Sequence, residues 1–429
     1  GVIPEHWEVK KLKYLVKGNL KYGANESGIE YNSDLPRYIR ITDFTEGGKL
    51  NEEKKLSLKW EVGKEYLLSD GDILFARSGA TVGKSYQFKE SMSTENCCAF
   101  AGYLIKASPN ENLILSDFLN YFTNSDCFNS WKQAIFNKAT IENIGADKYS
   151  QLVVIVPPLE KQATIANFLD EKCGKIDLAI TQKQKLIKLL KERKQILIQN
   201  AVTKGLDPNV KMKNSGVDWI GEIPEHWKLS KLGFYINILS GYAFPSAGFV
   251  SSPGIKLLRG INVAVNNVRW SETVYWPEYK TNDLQSYLLK VDDIIFGMDR
   301  PLISEGMRIA TIQEKDLPCL LLQRVTRIRA IKGLFQEYLL LIIRSKQFID
   351  YFLPILSGVS VPHISPDQIE SFKLCVPPLK EQNLIVNSIK TQSTKIDKAI
   401  ALQEQQIEKL KEYKASLINS AVTGKIKVS

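Results

Sequence analysis

One stretch of the chain has the residue types of a phosphate-binding loop. Ser78-Gly79-Ala80-Thr81-Val82-Gly83-Lys84-Ser85 resembles G-x-x-x-x-G-K-[ST], in which backbone amides and the lysine hold nucleotide phosphates. That motif requires glycine where this chain has Ser78, and residues 86–89 have the pattern of a strand where the motif needs a helix. We therefore expect a polar turn here and not a nucleotide-binding loop.

Three further patterns resemble catalytic motifs but are incomplete. Val156-Pro157-Pro158-Leu159 lacks the Asn or Asp that holds the amine in amino-methyltransferases. Pro366-Asp367 could begin a nuclease signature, but Glu412-Tyr413-Lys414, which would complete it, falls in a predicted helix. The histidines have no spacing typical of a metal triad; they are His6, His226 and His363. We interpret the chain as a binding protein that lends specificity to another protein's chemistry, with no catalytic residue, metal or cofactor of its own.

Polar side chains suited to nucleic acid concentrate in loops next to predicted strands. Arginine offers a bidentate donor pair for guanine, while Ser, Thr and Lys bind phosphates. The candidate DNA-contacting residues are Arg40, Arg77, Ser78, Thr81, Lys84, Arg259, Arg300, Ser304 and Arg308. Arg324, Arg327 and Arg329 alternate on a predicted strand, which fits either a basic face or a merely solvated one.

The elements that must position these loops occur twice. Residues 156–162 (VPPLEKQ) recur as 376–382 (VPPLKEQ), and residues 3–7 (IPEHW) recur as 223–227. Lys-Ile-Asp at 175–177 and Ala-Val-Thr at 201–203 return with the same offset of 220 positions. One offset shared by separate blocks indicates an internal duplication. Two copies are too few for a solenoid and suit a two-lobed molecule with approximate two-fold symmetry.

A long helix is predicted in each copy after the Pro-Pro pair, because strong helix formers continue as far as Gly205 and Gly424. The apolar residues have a heptad rhythm typical of a coiled-coil seam. The seam residues are Leu169, Ile176, Ile180, Ile187, Leu190 and Leu197 in the first copy, and Ile389, Ile396, Ile400, Ile407, Leu410 and Leu417 in the second.

Matching stripes predict that the two helices pack on each other, and an antiparallel arrangement is geometrically reasonable. Two independent surface helices are the alternative. Lys183 and Lys194 interrupt the first stripe, and Gln403 and Lys414 interrupt the second at the same places. We also expect Lys172-Cys173-Gly174 to break the first helix, which leaves a long piece of roughly 40 Å from about Lys175 to Val202.

The residues between the helices form two related but diverged lobes with mixed α/β patterns. Residues 37–41, 72–76, 255–259 and 293–296 are predicted strands, and residues 113–122, 127–136, 334–344 and 347–353 are predicted helices. We therefore expect the α+β fold class, with two mixed α/β domains separated by a pair of long helices in a pseudo-two-fold repeat, and we take the helices to be antiparallel. The expected domains are 1–152, 153–213, 214–372 and 373–429.

Composition sets broad limits on the class of protein. The 429 residues exceed a single typical domain, and the net charge of +10 suggests, weakly, a polyanionic partner. No secretory signal and no long uncharged apolar run occur, so we expect a cytoplasmic protein without a membrane span. The six cysteines show no metal spacing and are expected to be reduced. Gly1 aligns with Gly221, so the first copy is expected to lack its natural leader here.

The whole chain resembles the specificity (S) subunit of type I restriction-modification systems. The resemblance rests on IPEHW at 3 and 223, Arg40 to Asp43 with Arg259 to Asn262, residues 71–77 (GDILFAR), and the Pro-Pro-Leu-x-x-Gln boxes that precede both seam helices. The second lobe departs from the usual strand ending, since Gly297-Met298-Asp299-Arg300 replaces Ala76-Arg77-Ser78-Gly79. The residue that takes the place of Arg77 therefore stays open.

This resemblance implies two target-recognition domains, each of which recognises one half of a split site in double-stranded DNA. It implies that the helical pair acts as a spacer and docks two modification (methyltransferase) subunits, through which restriction (translocase/nuclease) subunits join. S-adenosylmethionine would be bound by the modification subunits. The alternatives are a self-sufficient NTPase or nuclease, an adaptor whose lobes bind proteins, and an orphan or regulatory copy without a restriction partner.

Overall fold

The computed structural model describes residues 3–45, 50–79, 82–136, 143–252, 254–304, 306–356 and 360–428. The chain forms two compact units: unit 1 comprises residues 1–185 and 402–429, and unit 2 comprises residues 186–401. The division falls within both long helices. Each unit therefore contains one lobe, the start of one long helix and the end of the other.

Unit 1 consists of short strands and helices that lead into a long helix. Its strands are β1 (Glu8–Lys11), β2 (Lys21–Tyr22), β3 (Ile29–Glu30), β4 (Arg37–Ile39), β5 (Leu56–Ser57), β6 (Ile73–Ala76), β7 (Ser85–Gln87), β8 (Cys98–Phe100), β9 (Leu104–Ala107) and β10 (Val153–Val156). Its helices are α1 (Trp60–Gly63), α2 (Ser116–Phe122), α3 (Asp126–Phe136), α4 (Ala146–Ser150) and the first part of α5 (Leu159–Lys204).

Unit 2 has the same plan with two added strand pairs. Its strands are β11 (Met212–Asn214), β12 (Glu222–Pro224), β13 (Lys228–Lys231), β14 (Ile236–Ser240), β15 (Ile255–Leu258), β16 (Tyr275–Trp276), β17 (Ile294–Gly297), β18 (Leu302–Ile303), β19 (Gly306–Met307), β20 (Ile309–Thr311), β21 (Cys319–Leu321), β22 (Val325–Ala330) and β23 (Lys373–Val376). Its helices are α6 (Gln336–Ile343), α7 (Lys346–Leu356), α8 (Pro366–Glu370) and the first part of α9 (Leu379–Val422).

Within the described residues both units contain two corresponding sheets, and the second has four strands in unit 1 and three in unit 2. In unit 1 an antiparallel sheet has the order β2-β9-β6-β7, and a second sheet has the order β3-β5-β4-β8 with β4 and β8 parallel. In unit 2 the corresponding orders are β14-β22-β17-β20 and β16-β15-β21, with β15 and β21 parallel. The strand pairs β1–β10 and β13–β23 are also equivalent. The predicted α+β class and the internal repeat are therefore confirmed.

The inner strand β6 of the antiparallel sheet is buried on both faces, which explains its unbroken apolar run. In β6, Ile73 and Phe75 pack in one hydrophobic cluster, and Leu74 packs in another. Because alternate side chains of a strand point to opposite faces, both faces need apolar residues. β17 repeats the arrangement, since Phe296 and Ile295 also belong to different clusters. The ends of these strands, where the candidate loops begin, are thereby fixed in place.

α5 is one continuous helix, so the predicted break at Lys172-Cys173-Gly174 is wrong. It begins directly after Pro158, as expected, and its 46 residues extend for about 69 Å. A glycine inside a helix costs only about 1 kcal/mol relative to alanine. Cys173 and Ile176 are buried in the core of unit 1, and the burial of that face outweighs the local cost of Gly174. α9 is similar, with 44 residues.

The two long helices pack antiparallel within each unit, so the alternative of independent surface helices is excluded. In unit 1, Asp177 accepts from Lys414 at 2.7 Å and Lys183 donates to Gln403 at 3.2 Å, so ascending positions of α5 meet descending positions of α9. All twelve proposed seam residues are buried or half-buried; they are Leu169, Ile176, Ile180, Ile187, Leu190, Leu197, Ile389, Ile396, Ile400, Ile407, Leu410 and Leu417.

The lysines that interrupt the apolar stripe have defined partners on the facing helix. Lys414 pairs with Asp177 in unit 1, and its repeat equivalent Lys194 pairs with Asp397 in unit 2, with shortest separations of 2.7 Å in both cases. Both aspartates belong to the repeated Lys-Ile-Asp block. Polar residues at such positions fix the register of a helix pair. The aspartate of each Lys-Ile-Asp block and the facing lysine therefore form an ion pair that sets the register, and this pair occurs twice.

A buried glutamine joins each lobe to the start of its long helix. Gln162 Nε2 donates to the carbonyl oxygens of Pro157 at 2.8 Å and Leu113 at 3.2 Å, while its Oε1 accepts from Leu115 N at 2.8 Å. Gln382 is also fully buried and makes the same three bonds with Pro377, Gly333 and Phe335. The glutamine of the Pro-Pro-Leu-x-x-Gln box thus satisfies backbone groups that burial would otherwise leave unpaired.

The repeated IPEHW opening packs on the end of a long helix in each unit. A Cβ built on Gly424, which follows α9, would lie 2.7 Å from Pro4 and 3.0 Å from Trp7. In unit 2 a Cβ on Gly205, which follows α5, would lie 3.2 Å from Trp227. Both glycines have positive φ angles, 72° and 76°. Each opening therefore requires glycine at the helix end contributed by the other copy.

Candidate nucleic-acid interface

The loop that follows β6 is held on both sides by backbone hydrogen bonds. Arg77 N donates to Tyr103 O at 2.9 Å, and Ile144 N donates to Arg77 O at 2.9 Å. Ser78 forms an isolated β-bridge with Asn143. These contacts bring the segment before α4 against the loop after β6, and they fix the backbone of Arg77.

An aromatic ring positions the side chain of Arg77. Its guanidinium carbon lies 5.1 Å from the ring centroid of Tyr22, within the range of a cation–π contact. The hydroxyl of Tyr22 accepts from Ala146 N at 2.9 Å, which fixes the ring. Arg77 Nε and Asn143 Oδ1 are buried and have no hydrogen-bond partner among the described residues. Buried polar atoms without a protein partner usually bind water or a ligand, so this site has unused hydrogen-bonding capacity.

The segment that resembles a phosphate-binding loop is a turn between β6 and β7. Gly83 N donates to Ala76 O at 2.9 Å, and Ala76 N donates to Lys84 O at 2.8 Å. A strand was predicted over residues 86–89 and β7 covers Ser85–Gln87, so the turn leads into a strand and not into the helix that nucleotide binding requires. Lys84 is exposed on this turn. Thr81, another predicted contact residue, lies outside the described residues.

Arg40 and Arg259 each begin a short turn and help to hold it. Arg40 N donates to Asp43 Oδ2 at 2.8 Å, and its guanidinium donates to Asp43 Oδ1 at 2.9 Å. Arg259 N donates to Asn262 Oδ1 at 3.0 Å, and its guanidinium bonds to Glu272 O. The Arg-x-x-Asp/Asn motif thus has a local structural explanation, and DNA contact by either arginine stays a prediction.

Unit 2 repeats the backbone frame around Arg77 with different side chains. Met298 N donates to Arg324 O at 3.1 Å, and the residue after His363 donates to Met298 O at 3.0 Å. Asp299 forms an isolated β-bridge with His363, as Ser78 does with its partner. Met298, which is only 7% exposed, therefore takes the backbone position of Arg77, a correspondence that the sequence left open.

A charged cluster surrounds Asp299 in unit 2; we call Asp299, Arg300, Arg324 and His363 the Asp299 cluster. Asp299 Oδ2 accepts from Arg324 Nη1 at 3.1 Å, and its Oδ1 lies 2.7 Å from His363 Nδ1. Because a carboxylate only accepts hydrogen bonds, Nδ1 carries the proton in this contact. Arg300 is the next residue along the chain and is exposed. The cluster occupies the position in unit 2 that Arg77 and its neighbours occupy in unit 1.

Arg308 and Ser304, the other contacts predicted for unit 2, have different environments. Arg308 Nε donates to Val263 O at 2.9 Å, and its Nη1 donates to Asp299 O at 3.1 Å. Burial lowers the pKa of the Arg308 guanidinium, although arginine stays protonated at neutral pH. Arg308 therefore supports the loop from inside, while Ser304 is exposed. DNA contact by either residue remains a prediction.

The three arginines predicted to alternate along one strand have different environments, so they form no common basic or solvated face. Arg324 precedes β22 and belongs to the Asp299 cluster. Arg327 is buried and donates to Asn237 Oδ1, and burial followed by the charge of Arg329 lowers its pKa. Arg329 pairs with buried Asp293, and that hydrogen bond raises the pKa of Arg329. Partners that are distant in sequence therefore overrode the local alternation.

Sequence analysis missed several residues of both sites. Tyr22 is 55 positions before Arg77 in the chain, and no local signal connects the two. Asp299 and His363 are separated by 64 positions. The sequence hinted at Asp299 in one way only, because Met298-Asp299 occupies the place that Arg77-Ser78 has in the first lobe. Asn143 was not singled out, because its role depends on the bridge to Ser78.

The described part of the chain has neither a metal-binding cluster nor a membrane-spanning helix. No group of three or more His, Cys, Asp or Glu side chains there is arranged to hold a metal ion. No helix there is both long and apolar enough to cross a membrane.

His226, from the repeated opening, contacts a long helix and not a metal site. It lies 2.7 Å from Glu381 of α9, which also accepts from Trp227 Nε1 at 2.9 Å.

Comparison with known proteins gives a consistent result along the whole chain. The family model described as the type I restriction modification DNA specificity domain matches residues 4–189 and again residues 224–412. The specificity subunit of the type I restriction enzyme MjaVIII from Methanocaldococcus jannaschii is 25% identical over 429 residues, which cover 99% of this chain and 94% of that protein. The EcoAI specificity subunit from Escherichia coli is 37% identical over 169 residues, covering 39% of this chain and 28% of that protein.

Solved structures support the fold at low sequence identity. A chain from a structure of a type I restriction-modification system, described in terms of complex assembly and conformational transition, superposes with a TM-score of 0.74 at 14% identity. The match covers 99% of this chain and 100% of that one. The HsdS subunit from Thermoanaerobacter tengcongensis gives a TM-score of 0.53 at 15% identity, covering 99% of both chains.

Proposed function

This chain belongs to the family defined by the type I restriction modification DNA specificity domain, and from that premise we propose that it is the DNA specificity subunit of a type I restriction-modification complex. It carries the domain twice, at residues 4–189 and 224–412. Each unit recognises one half of a bipartite, asymmetric site in double-stranded DNA. The chain supplies the sequence preference, and its partners carry out the chemistry.

The observation that carries this proposal is one backbone frame with two sets of side chains. The frame is the loop after β6 or β17, bridged to the segment before α4 or α8. It presents Arg77, Ser78 and Asn143 in unit 1, but Asp299 and His363 in unit 2, where Met298 is buried. A guanidinium and a carboxylate select different base edges, since arginine donates to guanine and aspartate accepts from cytosine. Two such sites with different side-chain chemistry suit a target whose two half-sites have different base sequences.

The long helices serve as the spacer in this proposal. Each helix is continuous through residues of both units. The Lys194–Asp397 and Lys414–Asp177 pairs fix the register of the helix pair. Successive major-groove faces of B-DNA recur about every 34 Å, and helices of this length are sufficient to leave a fixed number of base pairs unread.

Exposed apolar side chains on the long helices support docking of the modification subunits there. Leu189 and Ile196 lie seven residues apart on one face of α5 in unit 2 and are exposed. Leu402 and Tyr413 lie eleven residues apart on one face of α9 in unit 1 and are also exposed. Exposed apolar patches commonly mark protein–protein contacts. The two modification subunits bind S-adenosylmethionine, restriction subunits join through them, and the complex acts on chromosomal DNA in the cytoplasm.

Mapping methylated adenines across the genome tests this function. Cells that express the modification subunits with this chain should methylate a two-part motif with a constant gap, and cells without the chain should not. The purified complex should also lose DNA affinity steeply as salt rises. Methylation that is independent of the chain, or ATP turnover or DNA cleavage by the chain alone, would refute the proposal.

A further inference from the structure

Two arginines of the Asp299 cluster have a left-handed backbone conformation. Among the described residues, a positive φ angle at a residue other than glycine occurs at Asn266, Asp292, Arg300 and Arg324. The φ angle is 44° at Arg300 and 66° at Arg324. Asn and Asp tolerate this conformation better than residues with long side chains do. Strained residues persist where the surrounding structure and function require them, so two strained arginines beside one carboxylate point to a functional site.

The first copy of the repeat shows that glycine fits this backbone. Gly79, which follows Ser78 as Arg300 follows Asp299, has a φ angle of 78°. Gly71 stands two residues before β6, as Asp292 stands two residues before β17, and has a φ angle of 84°. The first copy thus has glycine, which adopts this conformation without strain, at the positions of Arg300 and Asp292. Arginine at position 300 is therefore explained by what its side chain contacts and not by the backbone.

Asp299 orients the guanidinium of Arg324. The Arg324 side chain is 73% exposed, yet its Nη1 donates to Asp299 Oδ2 at 3.1 Å. His363 holds the other carboxylate oxygen at 2.7 Å, so the carboxylate cannot easily rotate away. Within the described part of the chain the guanidinium makes no other hydrogen bond with protein, and its remaining donors are available to a ligand.

The same backbone hydrogen bond occurs in both copies, but the arginine is the donor residue in unit 1 and the acceptor residue in unit 2. Arg77 N donates to Tyr103 O in unit 1, and Met298 N donates to Arg324 O in unit 2. In unit 1 the arginine is on the strand β6 side of this pair, and in unit 2 it is on the β22 side. Each arginine has a dedicated orienting group, which is the ring of Tyr22 for Arg77 and the carboxylate of Asp299 for Arg324.

The charges around the two arginines of the cluster favour different DNA groups. A carboxylate 3.1 Å from Arg324 repels a phosphate, whereas a neutral base edge carries no such penalty. A guanidinium held in one plane suits the paired O6 and N7 acceptors of guanine. Arg300 is exposed and has no ion pair with a described residue, which fits a phosphate contact.

We infer that Arg324, oriented by Asp299 and His363, is a specificity-determining residue that binds a guanine in the half-site recognised by unit 2, and that Arg300 binds a nearby phosphate. This inference rests on the proposed function. In unit 1 the candidate base contact, Arg77, directly follows β6. In unit 2 the inferred base contact, Arg324, instead precedes β22.

The test compares methylation motifs made by the full chain, with its modification subunits, for the parent and for Arg324→Gly, Arg324→Lys and Arg300→Gly. Both Arg324 variants should relax one G·C position in a single half-site by roughly tenfold or more, because a good bidentate contact contributes about that discrimination. The other half-site should not change. Arg300→Gly should weaken binding to all sequences about equally and reduce the salt dependence by about one ion.

Thermal unfolding of the full chain separates function from folding. Asp292→Gly is the matched control for Arg300→Gly, since it also replaces a residue of positive φ by the glycine that the other copy has, and it does not touch the Asp299 cluster. All three glycine variants should melt at or above the parent midpoint, while DNA recognition changes only in the arginine variants. A lower midpoint for Arg324→Gly together with lost binding would assign Arg324 a structural role and overturn the inference.

The outcomes also distinguish this inference from the function on which it rests. If the parent chain directs no motif, the proposed function fails. If the parent directs a two-part motif and Arg324→Gly directs the same motif at the same rates, only the assignment of Arg324 fails. If Arg324→Lys lowers the sequence specificity at both half-sites equally, the assignment of Arg324 is also contradicted, because each unit is proposed to contact one half-site.

Discussion

Lys414 of α9 donates to both carboxylate oxygens of Asp177 of α5, each at 2.7 Å. The same pair occurs between Lys194 and Asp397, at 2.8 and 2.7 Å. These lysines fall where apolar residues would otherwise continue the helix–helix stripe. The duplication has therefore preserved a polar contact that reduces apolar burial, which is expected where a contact selects one register of a helix pair.

Charge reversal tests that contact. Lys414→Glu should destabilise the full chain by about 1 kcal/mol, because partly exposed ion pairs contribute at most roughly that much and the new glutamate repels Asp177. The double variant with Asp177→Lys should recover most of the loss. Denaturant unfolding of the four proteins gives the coupling energy. Lys409→Glu is the control, since Lys409 is exposed on the same helix without an ion pair to a described residue. Additive effects would show that the pair does not select the register.

The buried glutamines should be far more sensitive than the lysines. Gln162→Ala removes three hydrogen bonds at a fully buried position and should lower the free energy of unfolding by about 3 kcal/mol, because buried backbone groups lose their partners. Gln382→Ala should have the same effect in unit 2. Gln184→Ala, at an exposed position of α5, is the control for chemical denaturation. A loss below about 1 kcal/mol would mean that water replaces the side chain.

Much of the fold follows from residue chemistry that is visible in the sequence. The helix starts were predictable because proline leads into a helix but cannot continue one, and Leu159 and Leu379 begin α5 and α9 directly after a Pro-Pro pair. The buried central strand was predictable from the apolar run that includes Phe75. The repeat supplied the rest, since a pattern found in one copy could be checked in the other.

The remaining features depend on contacts between residues that are distant in sequence. Gly174 does not break α5, because burial of neighbouring Cys173 opposes its helix-breaking tendency. Arg327 is not solvated, because Asn237, which lies 90 positions away, accepts from it. The candidate site has the same limit. Loop composition identified Arg77, but Tyr22, which orients it, gives no signal of its own.

Tyr22 provides a test of Arg77 recognition. Arg77→Ala should weaken binding to the target by roughly 1–3 kcal/mol while leaving binding to random DNA nearly unchanged. Tyr22→Ala removes the ring and should show part of the same loss, and Tyr22→Phe, which keeps the ring, should show less. Competition binding with target and random duplexes measures both affinities. Tyr14→Ala changes another exposed tyrosine of unit 1 and is the control. Equal loss on both duplexes would make Arg77 a phosphate contact.

The spacer function predicts how the target responds to helix length. Inserting one heptad in phase into both α5 and α9, at the unit boundaries after Lys185 and Ala401, adds roughly 10 Å to each helix, or about three base pairs. Methylation mapping should show a longer gap between unchanged half-site words, because the heptad keeps the apolar stripe and both loop frames. A five-residue insertion is the control, since it rotates the stripe by about 140° away from the facing helix and should abolish the motif. A heptad variant with the parental gap would contradict a spacer role for the helices.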